Sequence, residues 1–212
     1  MTAARGAGRP LLALAGAMAL VMVAALAFTL LTARPSSGGT PATDSPDAGF
    51  ARDMAIHHQQ AVEMSLIVRD RTDDEDVRRL AYDVINTQAN QRGMLLGWLD
   101  VWGLPKSSSK PPMTWMGHDT AYAPHDGSLM PGMATDTELR RLDSARGEAA
   151  AVLYLQLLTA HHKGGVEMAA AAADLARTDQ VRRLAAGMVQ GQGAEIRLMA
   201  DMLAARGASP NA

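Results

Sequence analysis

The chain repeats itself, and no other feature restricts its fold as much. Displaced by about 104 positions, Phe50–Gly103 lies on Tyr154–Gly207 without a gap, and about 14 of some 54 pairs are identical, the mark of an internal duplication. His57-His58 falls on His161-His162, and Val62-Glu63-Met64 falls on Val166-Glu167-Met168. Val77-Arg78-Arg79-Leu80-Ala81 falls on Val181-Arg182-Arg183-Leu184-Ala185. Gln88 meets Gln192, Leu99 meets Leu203 and Gly103 meets Gly207. Shared composition alone would not align a His pair and a five-residue string at one register.

Each copy reads as two helices. Aromatic residues are only 4% of the chain, and Ala, Leu and Met are abundant, which favours helix over strand. Ser45 can cap a first helix with Pro46 at its first position, running to about Arg69. Thr72-x-x-Glu75 reads as a capping box for a second helix that stops at Gly103, with Pro105 beyond. In the second copy the first helix runs from about Gly147 to Ala176, and Thr178 caps a partner ending near Gly207. Thr135-x-x-Glu138 starts a short extra helix between the copies. The apolar period is helical throughout, so the expected class is all-α: a four-helix bundle of two duplicated hairpins. Its expected limits are residues 47–210, with repeat 1 at about 50–103, a connection over 104–134 and repeat 2 at about 154–207.

Upstream, Arg5 and Arg9 precede an uncharged run from Leu11 to Ala33. At about 1.5 Å per residue the run can span a bilayer core of about 30 Å. Residues 1–34 are therefore expected to be a single-pass anchor helix, with the amino end in the cytoplasm and the rest outside. A cleaved signal peptide is the rival, giving a secreted chain. It would normally have a shorter apolar region, and Leu31-Thr32-Ala33 is a poor cleavage site. Residues 35–46 (PSSGGTPATDSP) read as a flexible tether. The chain has no cysteine, which removes disulfides, zinc fingers and thiol nucleophiles. Its net charge of -2 points to no nucleic-acid partner.

On a helical wheel centred at His57, Phe50, Ala61, Met64 and Val68 fall within about 40° and Met54 within about 60°. His57 therefore belongs to the buried stripe and His58 to its flank. Asp53 and Gln60 flank the stripe on the other side, and Glu63 points away. His161 repeats the position of His57, with Tyr154, Leu158, Gly165 and Met168 around it, and His162 repeats the flank. A buried imidazole must find hydrogen-bond partners or a metal. A pseudo-twofold bundle can bring His57 and His161 together, and facing helices are where bundles build metal sites. Imidazole with thioether suits a copper ion, above all Cu(I). The candidate ligands are His57, His58, Met64, His161, His162 and Met168. Secondary candidates are Met54, Glu63, Glu167, Met116, His118, Met130 and Met133. The blander alternatives are a Met-filled core and glutamates on a solvated helix face.

The connection contains PPMTWMGHDTAYAPHDGSLMPGM, with Met113, Met116, His118, His125, Met130 and Met133 close together. It reads in two ways. An exposed loop would capture copper reversibly through these side chains. A packed one would lie across the bundle with Trp115, Met116 and Tyr122 as plugs.

The two His-His-x4-Glu-Met helices, FARDMAIHHQQAVEMS and LYLQLLTAHHKGGVEMA, together with LMPGMATDTELRRL before the second copy, resemble the bacterial family called domain of unknown function 305. The resemblance covers roughly Gly49 to Gly207. It implies a ferritin-like four-helix bundle, usually exported, with some His/Met-rich relatives binding copper in the periplasm. Carried over by position, the motif's residues are His57, His58, Glu63 and Met64, then His161, His162, Glu167 and Met168. The second copy departs where Gln59-Gln60 becomes Lys163-Gly164.

The expected function is extracytoplasmic copper binding and handling, with no chemistry on a substrate and hence no enzyme. The partners are the metal ion and, through the N-terminal helix, the membrane, with a homo-oligomer open. One alternative is a metal-free envelope bundle that binds a protein partner. Another is a di-iron oxidoreductase of ferritin type, which needs Glu-x-x-His pairs; the chain contains none. Neither Gly-x-Ser-x-Gly nor His-Glu-x-x-His occurs, so hydrolase motifs are missing.

Overall fold

Four long helices and one short one carry the chain. The computed structural model describes residues 39–117 and 122–210. Helix α1 spans Pro46–Arg69, α2 Glu75–Val101, α3 Asp136–Ser144, α4 Gly147–Leu175 and α5 Asp179–Ala204. A single 3-10 turn lies at Thr114–Met116. There is no strand among the described residues, only an isolated bridge between His125 and Ser128. The expected anchor over residues 1–34 and the first part of the tether, residues 35–38, lie outside the described residues. Among those described, no helix is long and apolar enough to cross a membrane.

The helix ends follow local chemistry. The Ser45 side chain accepts from Ala48 N–H, with Pro46 opening α1. Thr135 and Glu138 form the expected capping box on α3. The box expected at Thr72 does not form. Asp74 caps α2 instead, accepting from Asp76 and Val77 N–H, while the Thr72 hydroxyl oxygen accepts from Asp74 N–H one step earlier. Thr178 occupies the cap position of α5, but its hydroxyl donates to Asp47 at 2.6 Å. Asp47, at the start of α1, also accepts from Arg177 and Thr178 N–H. One carboxylate thus caps a helix far away in sequence. The duplication is plain at the exits of α2 and α5. Gly103 and Gly207 take φ of 65° and 64°, which glycine adopts without a Cβ clash. Leu104 N–H then bonds Leu99 O at 2.8 Å, and Ala208 N–H bonds Leu203 O at 3.0 Å.

Within each copy the two helices pack as a hairpin, and α1 packs against α4 to join the copies. The core has two apolar clusters at opposite ends. One takes the C-terminal half of α1 (Ala61, Met64, Val68), the start of α2, the first half of α4 and the end of α5. The other takes the N-terminal half of α1 (Phe50, Met54), the end of α2, the second half of α4 (Met168, Ala172) and the start of α5.

The connection packs; it is not a free loop. Met113, Met116 and Met130 are buried in the second cluster, with Met133 and Trp115 partly buried against it. Removing a Met side chain from water contributes about 1.5–3 kcal/mol. Asp53 anchors the segment, accepting from Met113 N–H at 2.7 Å and Trp115 Nε1–H at 2.8 Å. Gln60 clamps it further along, donating to Ala134 O at 2.9 Å and accepting from Ala134 N–H at 2.7 Å. Across the same segment, a Cβ at Gly164 would collide with Pro131 O. This explains the departure between copies. The segment crosses α1 at Gln60 and α4 at Gly164, so one position needs an amide clamp and its repeat needs no side chain at all.

Candidate functional site

Between the two apolar clusters each long helix contributes polar side chains at its middle. Helix α1 supplies His57 and His58, α2 Gln88 and Gln91, α4 His161 and His162, and α5 Gln192 and Glu195. All four imidazoles are 0% exposed. The wheel placed His58 and His162 on a flank, and that expectation fails. Helices α1 and α4 pack against each other and against their hairpin partners, so two faces of each are covered and the flank is interior.

His57 and His161 stack at the centre, with ring centroids 3.7 Å apart and planes at 31°. His161 Nε2–H donates to the His57 carbonyl oxygen at 3.0 Å. His58 Nε2–H donates to Gln91 Oε1 at 2.8 Å, and His162 Nε2–H donates to Glu195 Oε2 at 2.6 Å. Carbonyl and carboxylate oxygens only accept, so in all three rings Nε2 carries the proton. The opposite nitrogen, Nδ1, is left as a lone pair. Among the described residues, His57, which meets no strict hydrogen-bond geometry, approaches the Pro131 backbone carbonyl loosely, and Nδ1 of His58, His161 and His162 is buried without a hydrogen-bond partner. The side-chain amides of Gln88 and Gln192 share that condition.

Burial is the main cause holding His57, His58 and His161 neutral. It drives His57 and His161 well below the ordinary value of 6.5, with neighbouring imidazoles pushing the same way. His58 is lowered to about 4 by burial, against the opposing hydrogen bond to Gln91. Bare, neutral, buried imidazole nitrogens are the form that binds a metal.

The other candidates divide. Glu63 and Glu167 are exposed on the outer helix faces, away from the layer. Met64 and Met168 are both fully buried but belong to opposite clusters, one on each side of the layer. Met54 lies in the cluster of Met168. Met116, Met130 and Met133 pack into that cluster as well, so the exposed capture loop gives way to the packed reading. His118 lies outside the described residues. His125 is exposed and tied into its own turn by the Ala123 carbonyl. Sequence reasoning missed the second pair of each hairpin, Gln88 with Gln91 and Gln192 with Glu195. One signal was available: Gln88 interrupts the apolar stripe Val77, Leu80, Ala81, Val84, Leu95 and Leu99, and it recurs as Gln192.

The His57 and His161 ring centroids are 3.7 Å apart, near enough for both rings to reach one ion, but each lone pair lies in its ring plane, so the rings must turn out of their stacked arrangement for two nitrogens to sit about 2 Å from it. The unpaired nitrogens are the observation that makes the donor set fit. Among the described residues, no three His, Asp or Glu side chains are disposed to hold one metal ion together.

Two helical hairpins related by an internal repeat, with an imidazole layer at their waist, define an all-helical class of protein that keeps its polar chemistry inside. The chain belongs to the family described as domain of unknown function (DUF305), whose sequence profile matches residues 47–203. No curated protein matches it. Among solved structures, it is similar to a DUF305 chain from Streptomyces coelicolor, a candidate secreted protein, at 61% identity and a TM-score of 0.75, covering 81% of this chain and 99% of that one. A DUF305 fragment from Deinococcus radiodurans is 29% identical with a TM-score of 0.59, covering 73% of this chain and 92% of that one. CopM in its Cu(I)-bound form shares the fold at 19% identity and a TM-score of 0.55, covering 72% of this chain and 91% of that one.

Proposed function

We propose that the imidazole layer is a soft-metal site and that the protein binds and handles copper outside the cytoplasm. The observation that carries this reading is the stacked His57–His161 pair, whose rings lie 3.7 Å apart with buried, unpaired nitrogens. His57 and His161 are the primary ligands, with Nδ1 of His58 and His162 alongside. Met64 and Met168 flank the layer as thioether donors, Met54 behind them. Soft and imidazole donors in low number suit Cu(I). Helices α1, α2, α4 and α5 form a ferritin-like bundle in this reading. The structures of CopM with Cu(I), Cu(II) and silver support it at the level of the shared fold. The secreted designation of the Streptomyces coelicolor relative supports an outside location, with Leu11–Ala33 as anchor or leader.

When bound, copper would supply only its own coordination chemistry. The chain's residues do the rest: burial keeps His57, His58 and His161 unprotonated, Gln91 and Glu195 orient His58 and His162, and the apolar clusters exclude water. Titration of the purified full-length chain with Cu(I), Cu(II), Zn(II) and Fe(II) against competing chelators tests this. The expected result is Cu(I) binding tighter than micromolar, weakened at least about tenfold in His57→Ala/His161→Ala. A parent with no such affinity, or a double variant that binds equally well, overturns it.

The rival is a metal-free bundle that binds a protein partner. In its favour, no three His, Asp or Glu side chains among the described residues are poised around one ion. Buried water would then satisfy the layer. The same titration separates the two.

A further inference from the structure

The polar layer obeys the repeat at every position but one. His57, His58 and Gln88 recur as His161, His162 and Gln192, whereas Gln91 recurs as Glu195. The geometry is conserved across the change. His58 reaches Gln91 at 2.8 Å and His162 reaches Glu195 at 2.6 Å, each through Nε2. Amide and carboxylate have the same shape, so the two copies differ at this point in charge and in the amide's N–H donors.

That charge lies at the layer. The Glu195 side chain is 26% exposed while His162 is 0% exposed, so the carboxylate closes the layer on the α5 side. Among the described residues it is the layer's one carboxylate: Glu63 and Glu167 sit on exposed faces. A metal-ligating His commonly hands its other N–H to a carboxylate, which fixes the tautomer and raises its basicity. His162 has that arrangement, and His58 has its uncharged counterpart.

We propose that the Gln91/Glu195 difference sets the charge of the ion the layer accepts, its single carboxylate matching a monovalent soft cation. A divalent ion would carry an uncompensated charge in a buried site, which is costly. Glu195 acts through His162 as a positioning and charge-compensating residue and does not itself ligate. The inference rests on the metal-binding reading above.

Ag(I) and Zn(II), both redox-silent, are the probes, titrated by competition into the full-length chain. Glu195→Gln copies the His58–Gln91 pair already present in the first repeat, so the fold is kept; melting of the metal-free variant checks this. Its Ag(I) affinity should fall about tenfold or more, the size expected when a nearby partly buried unit charge is removed. Gln91→Glu copies the other pair and adds a second charge. Its Zn(II) affinity should rise relative to Ag(I) by about tenfold or more. Equal Ag(I) binding by the parent and Glu195→Gln, or an unchanged Zn(II)-to-Ag(I) ratio in Gln91→Glu, overturns this inference and leaves the copper reading standing. A parent that binds no Ag(I) overturns both.

Discussion

His58 and His162 carry the plainest lesson at the residue scale. Wheel geometry identified His57 and His161 as interior, because they share a stripe with Met64 and Met168. It put the neighbouring histidines at the edge, since a wheel assumes one buried face. Burial of a second face, by the hairpin partner, turned those edge residues into the interior pair held by Gln91 and Glu195. Their burial has a consequence for stability. His58 is lowered from 6.5 to about 4 in the folded chain, so between those values the unfolded state binds the extra proton. The stabilisation is therefore complete above about pH 6.5 and is lost as pH falls towards 4, about 3 kcal/mol from this residue. His57 and His161 shift in the same direction and steepen the loss. Melting of the chelator-treated protein should show Tm dropping by about 10 °C between pH 7 and pH 5. A flat profile would mean that these imidazoles are protonated in the fold.

At the scale of elements, most ends were legible and the exceptions have one cause. Ser45-Pro46, Thr135-x-x-Glu138, Gly103 and Gly207 act within a few residues, and each is found as local chemistry dictates. Thr72 and Thr178 lost their expected roles to Asp74 and to Asp47, and Asp47 lies in another helix. Nothing within a turn of Thr178 announces that partner. The Met-rich connection is the larger case. Composition left its exposure open, and docking by Asp53 and Gln60 decided it. Gly164 is the position where this docking is most exposed to test. Gly164→Ala places a methyl against the Pro131 carbonyl, between two backbones with little freedom to yield. The expected cost is about 1–3 kcal/mol, with the connection lifted from α4. Faster protease cleavage within residues 104–134 would report the lifting; a variant as stable and as resistant as the parent would show the segment is not held there.

At the scale of the whole molecule, the polar waist divides one core into two. A buried amide without partners is destabilising by about 1–3 kcal/mol, and Gln88 and Gln192 are such amides. Gln88→Leu/Gln192→Leu should therefore raise the Tm of the metal-free protein, by about 5 °C. A lowered Tm would show instead that buried water pairs these amides. The sequence by itself determined the helices, the duplication and the inward-facing His57 and His161, because period, caps and repeat are properties of neighbours along the chain. Only the tertiary structure decided that His58 and His162 are interior, that the methionines of the connection pack, that Met64 and Met168 part to opposite sides, and that Glu195 meets His162. Those facts depend on the antiparallel approach of α1 and α4, which brings together residues a whole repeat apart, and no local pattern encodes that approach.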